Sequence, residues 1–407
     1  MDPYTVDFAF SLTPDEPLLP GETFHRLLAE LRAEHRLAPV RFLGAEMGLI
    51  TGYDDLDAAF RNDAEFPAGP TYANSIEPCQ GFTFESCDGP EHHVLRDLST
   101  RGLRARPVAR YAAEHLPAIA HRVIDAFADR PTADLVANFT AVFPFLVFGH
   151  RMGLPGSERD HAARYYRWAF DILGYPGDNA TGLAAAAALT DYVEPVLAER
   201  RGCPADDLLS SMSTAVKAGR RLNDEEILSH VRALFSAGAA TSHHGLGNTI
   251  YALLRDPESV ARLRAEPDLI PHAVDEMLRW EPPIGILPRL VSQDVELAGE
   301  VVRAGSMVLM GIASANRDER IYPNPDRFDP DRFNPGRFEP GRRAGRLLTF
   351  GFGSHYCPGS HLAKAQIVAG VTALLERFPK LSLTDPDIAQ PVGTVMRGPR
   401  VLPVALH

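Results

Sequence analysis

Apolar residues recur at helical spacing through most of the chain and alternate only in short stretches. The longest periodic segment covers 224–255, where Ile227, Val231, Leu234 and Phe235, then Leu246, Ile250, Leu253 and Leu254, fall three or four positions apart. Asn223 is placed to cap this helix, Asp224, Glu225 and Glu226 suit the positive end of its dipole, and Pro257 stops it. A helix of about 30 residues runs about 45 Å. Its middle, Ser236 through Ser242, is made of small residues. Such a stretch on a buried helix admits either a neighbouring helix or a bulkier group close to the backbone. Further helical patterns fill 107–200 with a break at 175–179, a short segment from Asp206, 268–280 up to Pro282 and Pro283, and 362–378. Strand-like pieces lie at 39–51, which reads as a hairpin around a Gly-containing turn, at 287–291 and at 295–302. The pattern predicts a mainly α fold with small β-sheets, one domain over 1–407 built on a long central helix.

Composition narrows what such a fold does. Apolar residues make up 45% and charged residues 23%, enough for a sizeable core. A net charge of −12 argues against nucleic acid as the main partner, because phosphate binding needs clustered Lys and Arg. Residues 1–10 lack the basic and apolar regions of a signal peptide. No run approaches the roughly 20 apolar residues that span a bilayer, so no membrane association is expected. The four cysteines, Cys79, Cys87, Cys203 and Cys357, form no Cys-x-x-Cys pair. That argues against a disulfide scaffold or structural zinc and for a reducing cytoplasm. Residues 317–343 repeat Pro-x-Arg-Phe at five-residue spacing, and Phe328, Phe333 and Phe338 suggest an irregular loop pinned to a core.

The chemistry concentrates in 350–363, FGFGSHYCPGSHLA. Gly351 and Gly353 permit a tight turn, Cys357 follows it, and a helix begins just beyond. A thiol ahead of a helix N-terminus meets free N–H groups that favour thiolate, a soft ligand suited to iron. The segment resembles the haem-binding signature of the cytochrome P450 family, Phe-Gly-x-Gly-x-His-x-Cys-x-Gly, at every fixed position, and the resemblance extends over about 39–407.

That resemblance implies a cytochrome P450 fold with a Cys-ligand loop and haem b (iron protoporphyrin IX) as cofactor. Cys357 would be the axial metal ligand, Phe350 would shield its sulfur, and His355 would donate to a propionate. His92 and Arg96, one helical turn apart after Asp88, and Arg289, after Leu287-Pro288, resemble the family's other propionate anchors. Glu276 and Arg279, joined by Arg327 of the repeat, resemble its buried Glu-Arg-Arg triad. The expected activity is haem-thiolate monooxygenation of a hydrophobic small molecule by dioxygen, with hydroxylation favoured and a place in secondary metabolism. Electrons would come from a separate ferredoxin and ferredoxin reductase, docked on Arg101, Arg104, Arg106, Arg342, Arg343 and Arg346. The substrate would lie among 70–84, 175–179, 235–241, 284–287 and 395–396, with 175–179 a lid hinge.

The chain departs from the family in its central helix. There the usual acid before the catalytic Thr241 is Ala240. Thr241 and Ser242 are the candidate catalytic hydroxyls, and the proton route is left to water, Ser242, His243 or substrate hydroxyls. Two alternatives follow from Ala240: an atypical oxidation such as desaturation, coupling or ring formation, and a non-catalytic haem sensor.

Overall fold

The segment 224–255 folds as the helix Asp224–Leu254, and the elements that bear on function are arranged around it. The computed structural model describes residues 7–9, 19–156, 159–297, 299–335 and 345–407. At its start the Asn223 side chain accepts the Glu226 N–H and the Glu226 carboxylate accepts the Asn223 N–H, each at 2.9 Å, a reciprocal cap on two free donors. The helix is buried on nearly all sides, against helices Phe143–Met152, Arg159–Leu173 and Ser360–Arg377. Its small-residue middle serves both expected uses. A Cβ on Gly238 would lie 2.3 Å from a ring carbon of Phe148, so one neighbour is a packed helix. Ala237, Gly238 and Thr241 also border a cavity.

The hairpin is present as Leu37–Phe42 paired antiparallel with Ala45–Ile50. It joins Asp7–Phe8, Met307–Met310 and Leu287–Leu290 in a five-stranded sheet whose register sets Arg289 opposite Val308. Val295–Leu297 pairs with Glu300–Val302, and Pro403–Ala405 lies between Thr132–Asp134 and Ser382–Leu383. The break at 175–179 separates Arg159–Leu173 from Asn179–Gly202. The short helix expected from Asp206 starts at Leu208, because the Asp207 carboxylate takes the Ser210 N–H at 2.7 Å.

One expectation is corrected. Glu276 and Arg279, on the helix Ile270–Trp280, are fully buried and form a two-pronged pair at 2.7 and 2.8 Å. The third member is Arg332, whose Nε donates to Glu276 Oε1 at 3.0 Å, not Arg327. Asn324 turns the chain at φ +49°, so Arg327 offers its carbonyl inward and exposes its side chain. A second turn, Arg332 N–H to Asp329 carbonyl at 2.9 Å, then swings Arg332 inside. Asp329 N–H also donates to Glu276, at 3.0 Å. Phe328 and Phe333 pack on the core as expected, while Phe338, Arg342 and Arg343 fall outside the described residues.

Removing one partner of a buried pair leaves the other charge uncompensated, at a cost of about 3–5 kcal/mol. Arg332→Ala should therefore lower the urea unfolding midpoint strongly, while Arg327→Ala leaves it near wild type. Equal shifts in the two variants, or a larger one for Arg327→Ala, would contradict the assignment of Arg332 to the triad.

Candidate active site

Beyond Thr349 the chain enters the signature loop. Gly351 and Gly353 have φ of +67° and +76°, and a Cβ on Gly353 would lie 2.4 Å from the Phe60 carbonyl oxygen. Only glycine fits there without moving backbone. The turn closes when the Cys357 N–H donates to the Phe350 carbonyl at 2.9 Å, and the helix Ser360–Arg377 begins three residues later. The loop is tied to the buried ion pair through polar contacts. Arg279 donates to the Asn316 carbonyl at 3.0 Å, Asn316 Nδ2 donates to Thr349 Oγ1 at 2.9 Å, and Thr349 donates to the Leu278 carbonyl at 2.5 Å.

Cys357 lies on the wall of a cavity of about 370 Å³. Phe350, His355, Arg289, Thr241 and Ser242 line the same space. Most of the remaining wall is apolar, including Ile76, Phe84, Leu234, Leu287 and Val395. Burial pushes the Cys357 thiol up to about 11, against the Gly359 and Ser360 N–H groups and the Arg96 charge, which pull it down. Burial and the helix-terminal N–H groups thus act on the thiol in opposite directions.

Arg96, on the helix Gly89–Thr100, donates through Nη2 to the Tyr356 carbonyl, leaving its buried Nη1 without a partner. The buried Nε of Arg289 is likewise unpartnered. His92 is fully buried, with its ring nitrogens 2.7 Å from the Phe84 carbonyl and 3.1 Å from the Ser354 carbonyl. It abuts His355, ring centroids 3.9 Å apart, and so does not itself reach the cavity wall. His355 Nε2 lies 2.8 Å from Asp88 Oδ1. The Asp88 carboxyl is held below the usual range: burial works against this, but the hydrogen bond and charge of His355 and the Gly69 and Ala68 N–H groups win.

On the central helix Thr241 Oγ1 donates to the Ala237 carbonyl and Ser242 Oγ to the Gly238 carbonyl, both at 2.8 Å. Ser242 also accepts from Gln366 Nε2. Ala240 is fully buried in an apolar cluster with Ile286, Val395 and Met396. An acid at position 240 would join that cluster, where the energetic cost of an unpaired carboxylate is high.

Of the expected pocket segments, Phe84, Pro176, Ala237, Thr241, Ile284, Leu287, Val395 and Met396 line the cavity. Phe235 does not; it is fully buried against Phe148 and Tyr165. Sequence reasoning missed Glu85, Asp88 and Gln366. Asp88 precedes the Gly-Pro-Glu start of the His92 helix, a position that signals a cap; Glu85 and Gln366 carry no such signal.

His243 faces the rings of Phe145, Tyr166 and Phe170, and burial pushes it down to about 4, as it does His230. Both are neutral near pH 7. Below about 6.5 the unfolded chain binds a proton that each folded histidine refuses until about 4. Their contribution is thus present above 6.5 and lost as pH falls through that window, by up to about 1.4 kcal/mol per pH unit each. Urea midpoints measured from pH 7 to pH 4.5 should fall less steeply in His243→Phe than in wild type; parallel profiles would contradict a buried neutral His243.

The sequence matches the family described as Cytochrome P450 over residues 17–400. It is 32% identical over 373 residues to the mycinamicin IV hydroxylase/epoxidase of Micromonospora griseorubida, covering 89% of this chain and 90% of that one. It is 32% identical over 394 residues to the cytochrome P450 monooxygenase PikC of Streptomyces venezuelae, covering 95% and 90%. Among solved structures, the cytochrome P450 PksS of the Bacillus subtilis bacillaene polyketide synthase superposes with a TM-score of 0.83 at 28% identity, over 95% of this chain and 98% of that one.

Proposed function

Because this chain belongs to the cytochrome P450 family and is a haem b monooxygenase, we propose that Cys357 would hold its iron and that it hydroxylates a hydrophobic small molecule of secondary metabolism. One observation carries the residue assignment: Cys357 shares a largely apolar cavity with Arg289, whose buried Nε has no partner, and the buried, unpartnered Arg96 Nη1 lies close enough for its charge to act on the thiol. These are the donors a planar, dianionic macrocycle needs, so the residues present fit the group. Arg96, Arg289 and His355 would hold the propionates, with His92 supporting His355 from behind and Asp88 fixing its ring. Phe350 would keep water from the sulfur. When bound, the haem supplies dioxygen activation and oxygen insertion. A ferric ion would also supply the positive charge that burial of the thiol otherwise lacks.

Thr241 holds its proton on the Ala237 carbonyl and lines the cavity, where it would hold and pass a proton during turnover. With Ala240 in place of an acid, we assign resupply to Ser242, whose oxygen bridges the Gly238 carbonyl and Gln366. The names of the relatives, hydroxylase/epoxidase and monooxygenase, support oxygen insertion over the atypical oxidations and over a haem sensor. Electrons are assigned to a ferredoxin and its reductase, docking where Arg104 and Arg106 are exposed. Arg101 and Arg104 share Asp97, which moderates that patch. Arg342 and Arg343 lie outside the described residues. No described helix is long and apolar enough to cross a membrane.

The holoenzyme, driven by a ferredoxin, its reductase and NADH, should oxidise a spin-shifting hydrophobic probe. Thr241→Ala should divert several-fold more electrons to hydrogen peroxide while still binding the probe; unchanged coupling would remove Thr241 from the relay. In the same system Arg104→Glu should slow haem reduction, more at low than at high salt. A rate independent of both charge and salt would sink the docking assignment.

A further inference from the structure

A group of three rings stands apart from the cavity, on the helices Ala105–Asp125 and Phe143–Met152. Tyr111 and His115, one turn apart on the first helix, meet His150 from the last turn of the second. The His115 and His150 ring centroids are 4.8 Å apart, and they lie 5.1 and 5.6 Å from that of Tyr111. Tyr111 fixes the proton on His150. Its own hydroxyl proton goes to the Val147 carbonyl at 3.1 Å, since a carbonyl can only accept. The contact of the same oxygen with His150 Nδ1, also 3.1 Å, is therefore donated by Nδ1–H, which leaves the Nε2 lone pair free. A hydrogen bond on one ring nitrogen that frees the other is how metal-binding histidines are held.

Desolvation first, then the charges of His115, Arg122 and Arg151, hold His150 below the ordinary imidazole range, so it is neutral near pH 7. His115 is partly exposed and makes no hydrogen bond among the described residues; its Nε2 lies 3.7 Å from the Glu114 carboxylate. An ion about 2.1 Å from one nitrogen of each ring lies roughly 3.2 Å from each centroid, so the 4.8 Å separation subtends roughly 100° at the ion, between the octahedral and tetrahedral angles. We propose that His115 and His150 bind one divalent transition-metal ion of the zinc class, with water in its remaining positions, and that this ion ties the two helices together. No three His, Cys, Asp or Glu side chains converge among the described residues, so the pair works without a third protein donor and exchanges its ion readily. The Glu114 carboxylate favours the cation; Arg122 and Arg151 oppose it, Arg151 being partly offset by Asp206 at 3.6 Å. The site is separate from the haem and does not depend on the monooxygenase reading.

The test uses the haem-loaded enzyme, zinc chloride as the probe and isothermal titration calorimetry. His115→Ala and His150→Phe, the latter keeping a ring against Tyr111, should each weaken zinc binding by roughly tenfold or more. The double variant should lose little beyond either single one, because the two donors act as a unit. His121→Ala removes an exposed histidine of the same helix outside the ring group and should bind zinc as wild type does. Zinc should also raise the wild-type unfolding temperature, and raise it less in His115→Ala and His150→Phe. An affinity within about twofold of wild type in either variant, or an equal loss in His121→Ala, overturns the proposal. So does a wild type that binds no zinc, or whose unfolding temperature zinc leaves unchanged.

Discussion

A carboxylate with no solvent exposure, Glu276, holds the back of this molecule together. Arg279 approaches it with two prongs, Arg332 adds a third contact and the Asp329 N–H a fourth. Such an arrangement is not chosen for raw stability, since an apolar replacement of equal volume often does as well. It does impose geometry. Arg279 has donors left over, and they fix the Asn316 and Pro325 carbonyls. Asn316 in turn fixes Leu348 and Thr349, the last residues before the signature loop. The position of Cys357 thus depends on an ion pair 81 residues earlier in the chain (276 to 357).

At the loop itself two effects compete. Helix-terminal N–H groups stabilise a thiolate, whereas loss of solvent destabilises it, and loss of solvent is the larger. The cavity is largely apolar, with Cys357 on its wall and the buried Arg96 Nη1 and Arg289 Nε without a protein partner. A cofactor that brings a metal cation to the sulfur and carboxylates to the arginines suits both at once.

Much of this was legible in the sequence. The central helix announced its start through Asn223 and Glu226, its length through apolar spacing, and its close neighbours through the run from Ser236 to Ser242. The signature loop announced itself because its glycines, cysteine and following helix must occur in that order. What sequence could not decide were choices among equivalents. The Pro-x-Arg-Phe repeats are alike as strings, and only the turns at Asn324 and Asp329 select Arg332 over Arg327. Phe235 and Leu234 are both apolar on one helix, yet only Leu234 meets the cavity, because periodicity marks a buried face and not what lies opposite it. Ser242 and Gln366 are brought together across 124 positions.

The account stands or falls on the bond between Cys357 and iron. The decisive measurement is the absorption spectrum of the dithionite-reduced protein under carbon monoxide, for wild type and Cys357→Ala at matched haem content. The account predicts a strongly red-shifted Soret band in wild type, as thiolate ligation gives, and its loss in Cys357→Ala. A wild-type band without that shift, or a shifted band that survives the substitution, would contradict it.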